Sequence, residues 1–391
     1  LKVVVIAVCV GIALRVSFLL LAPFEGESET GKLSAYNDER AHFNYIRHII
    51  DERRLPSAAI SLQESGVTAN ATFEHYQPPL YYLVSAPAVA LWQRVDPGTS
   101  YLAARIVSFI AGILLLPLAF SIATRFGLSR LIATSVVIVT SILGSLVRFS
   151  VLVSNDAFCW LFSGLAIYAW VRTEDDSSPP YYSLLWCFAV IAGLYTKLSI
   201  LLLLPLPVIC SLLQRRWQRA LRWLVLTVIG LVVTLPIWVR NVQAFGSLLP
   251  LSAGFGEAEV ASTAPLSVAA YALRSLIFPW QEFWGGWPGA LVIVVVLMLC
   301  LYLIISSRAR FRDLRHPIQL VLLWIAAIVG FAWLNLHYFQ AEGRYLLISW
   351  PAWMMLFAVG GRTPARQWIL FAALLAPYLL FLIPFGEWVR V

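Results

Sequence analysis

Apolar runs close to the length of a membrane span recur along almost the whole of this chain, and they leave it few folds to choose from. A helix rising about 1.5 Å per residue needs about 20 apolar residues to cross a hydrocarbon core of about 30 Å. The runs lie at 3–22, 101–124, 130–148, 156–172, 183–196, 198–213, 222–239, 289–306, 317–335, 345–360 and 366–385. They predict an all-α polytopic membrane protein, a bundle of about eleven transmembrane helices forming a single transmembrane domain over residues 1–391. Charged residues make up 12% of the chain and the mean hydropathy is +0.81. Soluble chains carry about a quarter charged residues, so a soluble globular protein is excluded.

The net charge of +8 does not indicate a nucleic-acid binder. The basic side chains sit in short loops between apolar runs, where they set orientation. "QRRWQRALR" (214–222) and "SRARFRDLRH" (307–316) are placed in the cytoplasm, and "RFGLSR" (125–130) and "GRTPAR" (361–366) join them. The run 78–92 then cannot cross: at about 1.5 Å per residue it reaches only about 23 Å, and prolines interrupt it. It is assigned as a juxtamembrane or re-entrant helix that stays on the outer side. The outer side receives a first external loop, 23–100, a second large one, 240–288, the turns 147–158 and 335–346, and the break at 195–199. Residues 183–213 read either as two short helices broken at Lys197 or as one long tilted span. The first apolar run exceeds a signal-peptide core and is read as a retained span. The five cysteines show no CxxC spacing and read as packing residues.

Two polar signatures fall in the first external loop: "YNDERAHFNYIRHIIDERRLP" (36–56) and "EHYQPPLYY" (74–82). Asn37 can cap a helix beginning at Asp38. Helical spacing puts Asp38, His42 and Tyr45 on one face, with Phe43, Ile46, Ile49 and Ile50 in an apolar stripe. Interfacial helices are therefore expected over 38–54 and 79–93. The pattern alone also fits a solvated surface helix. A helix N-terminus favours negative charge, which keeps Asp38 ionised and able to accept a proton.

With "SNDA" (154–157), "YTKL" (195–198) and "EGRYL" (342–346), these two signatures form an ordered series. The series resembles the membrane-embedded GT-C glycosyltransferases, among them protein mannosyltransferases and the aminoarabinose transferase of lipid A. That family uses lipid-phosphate-linked sugars and carries two interfacial helices in its first external loop. The resemblance implies that Asp38 stands at the position of the catalytic carboxylate, with Glu39 beside it. An acceptor hydroxyl must lose a proton as it attacks the anomeric carbon, so one general base is required. The departing lipid phosphate needs cations rather than an acid.

Lys197 interrupts an apolar run, where an ionisable residue marks function by default; a lysine snorkelling to the interface is the alternative. Arg344 suits bidentate phosphate binding or pairs with Glu342, and His337 is placed to assist. Asp156 is either an ordinary helix-start residue or a second carboxylate that positions the acceptor or helps hold a divalent cation. His42, His75 and Tyr76 are expected to line the cavity or pin the second interfacial helix. Arg240, Asn241 and Arg274 read as interfacial anchors. The sequence requires no cofactor; if Mg or Mn is bound, Asp38, Glu39 and Asp156 are the oxygen-rich candidates.

The expected function is an inverting GT-C glycosyltransferase, moving a monosaccharide from a polyprenyl-phosphate donor to a glycan, lipid or protein hydroxyl. Its expected place is the bacterial cytoplasmic (inner) membrane, multi-pass, with the site facing outward among membrane lipids and no nucleic-acid partner. A transporter or flippase of lipid-linked saccharides and a non-catalytic scaffold are the competing readings.

Overall fold

The computed structural model describes residues 2–22, 24, 37–56, 74, 76–175, 177–250, 265–277, 294, 298, 301, 302, 305, 314–337, 342–359 and 361–388. Of residues 37, 38, 265–267, 337 and 379–388 it describes the backbone only. In chain order the helices are α1 (Lys2–Leu21), α2 (Asn37–Glu52), α3 (Leu80–Gln93), α4 (Tyr101–Arg125), α5 (Arg130–Ile142), α6 (Gly144–Phe149) and α7 (Asp156–Thr173). There follow α8 (Tyr181–Leu194), α9 (Leu206–Leu213), α10 (Trp217–Val233), α11 (Leu235–Phe245), α12 (Pro265–Ile277), α13 (Pro317–His337), α14 (Trp350–Ala358) and α15 (Pro364–Trp388). Two 3₁₀ segments, Leu198–Leu203 and Gly343–Ser349, lead into α9 and α14.

The expected all-helical membrane bundle is observed, and helices form over both segments expected at the interface, as α2 and α3. Among the described residues, α1, the stretch ending in α4, and α13 are each long and apolar enough to cross a membrane alone. The remaining runs are broken more often than apolar length suggests. The run 130–148 is interrupted at Leu143, whose extended backbone separates α5 from α6. The run 222–239 belongs to a longer pair, α10 and α11, bent by 50° at Thr234. Pro236 lies in the first turn of α11, where its missing N–H costs nothing to that helix but breaks the one before it. Residues 183–213 form two short pieces broken at Lys197. The run 345–360 starts as a 3₁₀ turn that already contains Arg344. The second external loop is not wholly irregular: α11 reaches into it, and α12 packs its buried Ala272, Ser275 and Leu276 near Gly343. The span expected at 289–306 and the Trp-rich stretch 278–289 fall almost wholly outside the described residues.

The described parts of the basic loops gather at one end of the bundle. α4 stops in a turn where Gly127 takes φ +84°. Its N–H donates to Thr124 O (3.1 Å), and the next N–H donates to Ala123 O (3.2 Å), a left-handed cap that glycine adopts without a Cβ clash. Phe126 O in that turn accepts from Arg315 N–H at 3.1 Å. Glu174, just past α7, accepts from Arg219 at 2.8 Å and pairs with Arg216 at 3.4 Å. Ser135, near the start of α5, donates to Gly361 O at 3.0 Å. Asp156 opens the other end of α7, whose 18 residues place it about 27 Å away.

Apolar side chains gain little from one another when lipid surrounds them, so close backbone approach and buried hydrogen bonds must fix the packing. A Cβ on Gly164 would lie 3.0 Å from the Trp350 ring, so a side chain there would push α7 off α14. The Trp350 indole instead donates across that contact to Trp160 O at 2.8 Å. Arg15, fully buried in α1, donates to Thr140 O (3.1 Å) and Ser141 O (2.5 Å) at the end of α5 and to Ser150 Oγ (3.0 Å). Those terminal carbonyls have no helical partner of their own. Arg15 supplies one.

Candidate functional site

Three separate breaks in helical structure bring three charged side chains together. Asp156 is the first residue of α7; its N–H donates to Ser154 Oγ at 3.0 Å, and that hydroxyl returns a 3.1 Å bond to the carboxylate. At Lys197 the backbone is extended (φ −158°, ψ 132°), which ends α8 and frees the side chain to turn back toward α7. Its amine pairs with Asp156 Oδ1 at 2.5 Å. Arg344, in the 3₁₀ turn before α14, reaches the other carboxylate oxygen at 3.4 Å. Arg344 also lies 2.7 Å from Glu342 Oε2 and donates to the Tyr345 hydroxyl at 3.2 Å. Its guanidinium stacks over Phe149 at 4.7 Å. The salt bridge to Glu342 and the approach to Asp156 are therefore both made.

Hydrogen bonds stitch the polar motifs into one layer. Leu80 N–H donates to Tyr195 O (2.8 Å), tying the start of α3 to the break that carries Lys197. Asn155 Nδ2 donates both to Gln77 Oε1 (3.1 Å) and to Thr196 O (3.0 Å). Gln77 Nε2 donates to Glu74 at 3.3 Å, and Arg240 from α11 donates to Gln77 O at 3.3 Å and Pro56 O at 3.4 Å. The two prolines have no N–H to donate, and they stand directly before α3, where none is needed. The groups around them are held from other segments: Gln77 O by Arg240, the Gln77 side chain by Asn155, and Leu80 N–H by Tyr195 O.

Helices α2 and α3 close the site. His42 Nδ1 lies 2.7 Å from the Tyr82 hydroxyl, and Tyr45 stacks on Tyr82 with ring centroids 3.9 Å apart. Burial pushes the Tyr45 hydroxyl up to about 12, against the pull of Arg240, so it stays protonated at any working pH. Glu39 is fully engaged by protein. Arg105 from α4 binds its two oxygens at 2.7 and 2.8 Å, and Val153 N–H donates to it at 2.9 Å. Arg105 also donates to Leu19 O (3.1 Å) and Ala22 O (2.7 Å) at the end of α1. The pair thereby locks the first turn of α2 against α1, α4 and the approach to α7.

Breaking a buried pair by removing one partner costs about 3–5 kcal/mol, because the other charge is left uncompensated. Arg105→Met is expected to lose stability of that order, read as an earlier thermal transition in detergent. Combining it with Glu39→Leu should recover a large part. A double variant as unstable as the single one would mean that the lost carbonyl anchors, and not the stranded charge, dominate.

A cavity of about 370 Å³ opens over this layer. His42, Glu74, Gln77, Asp156, Lys197 and Arg344 give it a polar lining, and Leu198, Leu201, Leu202, Phe331, Trp333 and Leu334 an apolar one. Gly330 permits the apolar wall to close: a Cβ there would come within 2.3 Å of Leu202 Cδ1. The structure thus gathers His42, Tyr76, Asp156, Lys197 and Arg344 around one space. It does not place Glu39 among the lining residues. Asp38 stands in the first turn of α2, four residues before His42 and so on the same helix face, but its side chain lies outside the described residues. His75 and the side chain of His337 lie outside them too.

Among the described residues no group of three or more His, Cys, Asp or Glu could hold a metal ion. Of the oxygen ligands considered above, Glu39 is taken by Arg105 and Asp156 by Lys197 and Arg344. Four contributors were not singled out in the sequence: Glu74, Gln77, Tyr345 and Arg105. Arg105 carried a usable signal, being an arginine inside an otherwise apolar span.

A family model described as dolichyl-phosphate-mannose-protein mannosyltransferase matches residues 74–247, which cover the proline motif, "SNDA" and "YTKL". The fold is similar to crystal structures of ArnT from Cupriavidus metallidurans. One, bound to undecaprenyl phosphate, matches with a TM-score of 0.58 at 16% identity over 93% of this chain. The other, in the apo state, matches with a TM-score of 0.57 at 17% identity over 93% of this chain. The chain spans 61% and 60% of the length of those two structures. No curated protein matches the chain significantly by sequence. The resemblance to GT-C glycosyltransferases drawn from the motifs is borne out in the fold and in the family model.

Proposed function

We propose that the protein transfers one sugar from a polyprenyl-phosphate donor to an acceptor hydroxyl, in the membrane face opposite the basic loops. The observation that carries this reading is the lining of the cavity. Lys197 and Arg344 converge on Asp156 in its wall, and leucine, phenylalanine and tryptophan side chains share the same lining. A lipid phosphate is built the same way, with an anionic head on an apolar chain. The mannosyltransferase family model over 74–247 and the undecaprenyl phosphate bound by the similar ArnT structure support the same class of donor.

In this reading Lys197 and Arg344 hold the phosphate that leaves. The acceptor oxygen attacks the anomeric carbon from the opposite side, the C–O bond to phosphate breaks, and the configuration inverts. The acceptor's proton passes to Asp38, on the helix face shared with His42. Negative charge grows on the phosphate as the bond breaks, and preorganised cations stabilise it there without reorganisation. Asp156 holds the two cations in register while no donor is bound, and Glu39 with Arg105 sets the position of the turn that carries Asp38. With the basic loops in the cytoplasm, the site faces outward from the inner membrane. Clustering of the cavity's charges at one end of α7 favours this over a carrier, whose sites sit near the bilayer midplane.

The test supplies detergent-purified protein with an undecaprenyl-phosphate-linked sugar and follows release of undecaprenyl phosphate. Release that requires an acceptor supports the proposal; no release with any acceptor fraction, and no binding of the lipid phosphate, would refute it. The reaction is proposed to run without a metal, since protein cations already occupy Asp156 and Glu39. Turnover is therefore expected to be unchanged by EDTA, and loss of activity restored by Mg or Mn would contradict this.

A further inference from the structure

A second, smaller cavity of about 80 Å³ lies at the basic end of the bundle, between the start of α8 and the start of α10. Thr173, Ser178, Arg219, Arg222 and Trp223 line it, with Asp175 as its one described acid. The Trp223 indole N–H is buried in a side chain 1% exposed, and it finds no hydrogen-bond partner among the described residues. The Ser178 hydroxyl is in the same position. An indole N–H can only donate, and leaving such a group buried and unpaired is costly. Arg219 already donates to Glu174 at 2.8 Å and Arg222 to Ser183 at 2.5 Å, so both guanidiniums are held in place at the wall. Glu174 Oε2 pairs with both Arg216 and Arg219. Among the described residues, no acceptor reaches the Trp223 N–H and no partner reaches the Ser178 hydroxyl.

We propose that this cavity binds the phosphate of an anionic membrane lipid on the basic-loop side. Preorganised arginines, an indole N–H and a serine hydroxyl are the donors a phosphate would recognise, and basic pockets between helices on the cytoplasmic side suit lipid head groups. The surroundings favour a lipid over free phosphate. Tyr181, Leu184 and Phe188 on α8 and Leu221, Val225 and Val228 on α10 are exposed in helical register, so the two helices that follow from the cavity offer acyl chains apolar surface. The inference is independent of the transfer reaction, since it concerns the other end of α7.

The full chain, delipidated in neutral detergent, would be titrated with phosphatidylglycerol, phosphatidylcholine and inorganic phosphate, with bound lipid counted by native mass spectrometry. Phosphatidylglycerol is expected to bind one per chain in preference to phosphatidylcholine. Arg222→Gln should weaken it about tenfold or more, and Trp223→Phe, which keeps the ring against Trp186 and removes only the N–H, about threefold. Should Arg222→Gln fold poorly, Trp223→Phe decides alone. Equal binding of phosphatidylcholine, or wild-type affinity in the variants, would overturn the proposal. Saturation by inorganic phosphate with no binding of phosphatidylglycerol would uphold a phosphate site and overturn the lipid as its source.

Discussion

Asp38→Asn is expected to lower sugar transfer by about 10²–10⁴-fold while leaving donor binding and thermal stability near wild type. Asparagine keeps the shape of the residue and its place in the first turn of α2, but it cannot accept the acceptor's proton. The loss should fall on kcat, with KM for the donor little changed, because a base acts in the transition state and not in the resting complex. The neighbouring Glu39 offers no substitute, since its oxygens are bound by Arg105 and Val153 N–H. Turnover within a few-fold of wild type would remove Asp38 from the chemistry. The remaining described carboxylate of the cavity, Glu74, would then be the next to replace.

Lys197→Met should produce a loss of about 10²–10³-fold, but with a different signature. The amine is held at a break in helical structure 2.5 Å from Asp156, and the cavity's apolar wall begins at the next residue. It is therefore placed where head and chain of a lipid phosphate would meet. Removing it takes charge from the leaving phosphate, so donor affinity and kcat should both fall. Binding of undecaprenyl phosphate should weaken in parallel, and Lys197→Arg should restore part of both. A methionine variant that binds the lipid phosphate as tightly as wild type would show that Arg344 alone anchors it, and that Lys197 serves to neutralise Asp156. The two variants are thus separable: one affects the step, the other the site.

Much of the fold could be read before any coordinates. Helices expected over 38–54 and 79–93 are observed as Asn37–Glu52 and Leu80–Gln93. Amphipathic spacing in the first and proline placement in the second are local signals, and nothing distant competes with them. The helix breaks were harder. Pro236 marks the bend at Thr234, but Leu143 carries no such mark, and Lys197 left two readings open. Where no proline stands in it, whether an apolar run bends depends on what it packs against, and that is not written within the run.

The site divides in the same way. Lys197, Arg344, Asp156 and His42 stood out because charge inside or beside an apolar segment is expensive and needs a reason. Their mutual geometry could not be read from spacing, since Asp156 and Arg344 are 188 residues apart. Glu39 shows the difference most sharply. Next to Asp38 in sequence it reads as half of a catalytic pair, but in space its partner is Arg105, 66 residues on, and its oxygens are fully engaged. Entry into the membrane, helical structure and the ends that carry charge follow from transfer free energies, which each segment has on its own. Pairing of a carboxylate with a particular cation comes from packing: a buried ion is tolerated only where other segments bring it a counter-charge and donors, and that meeting exists only in the assembled bundle.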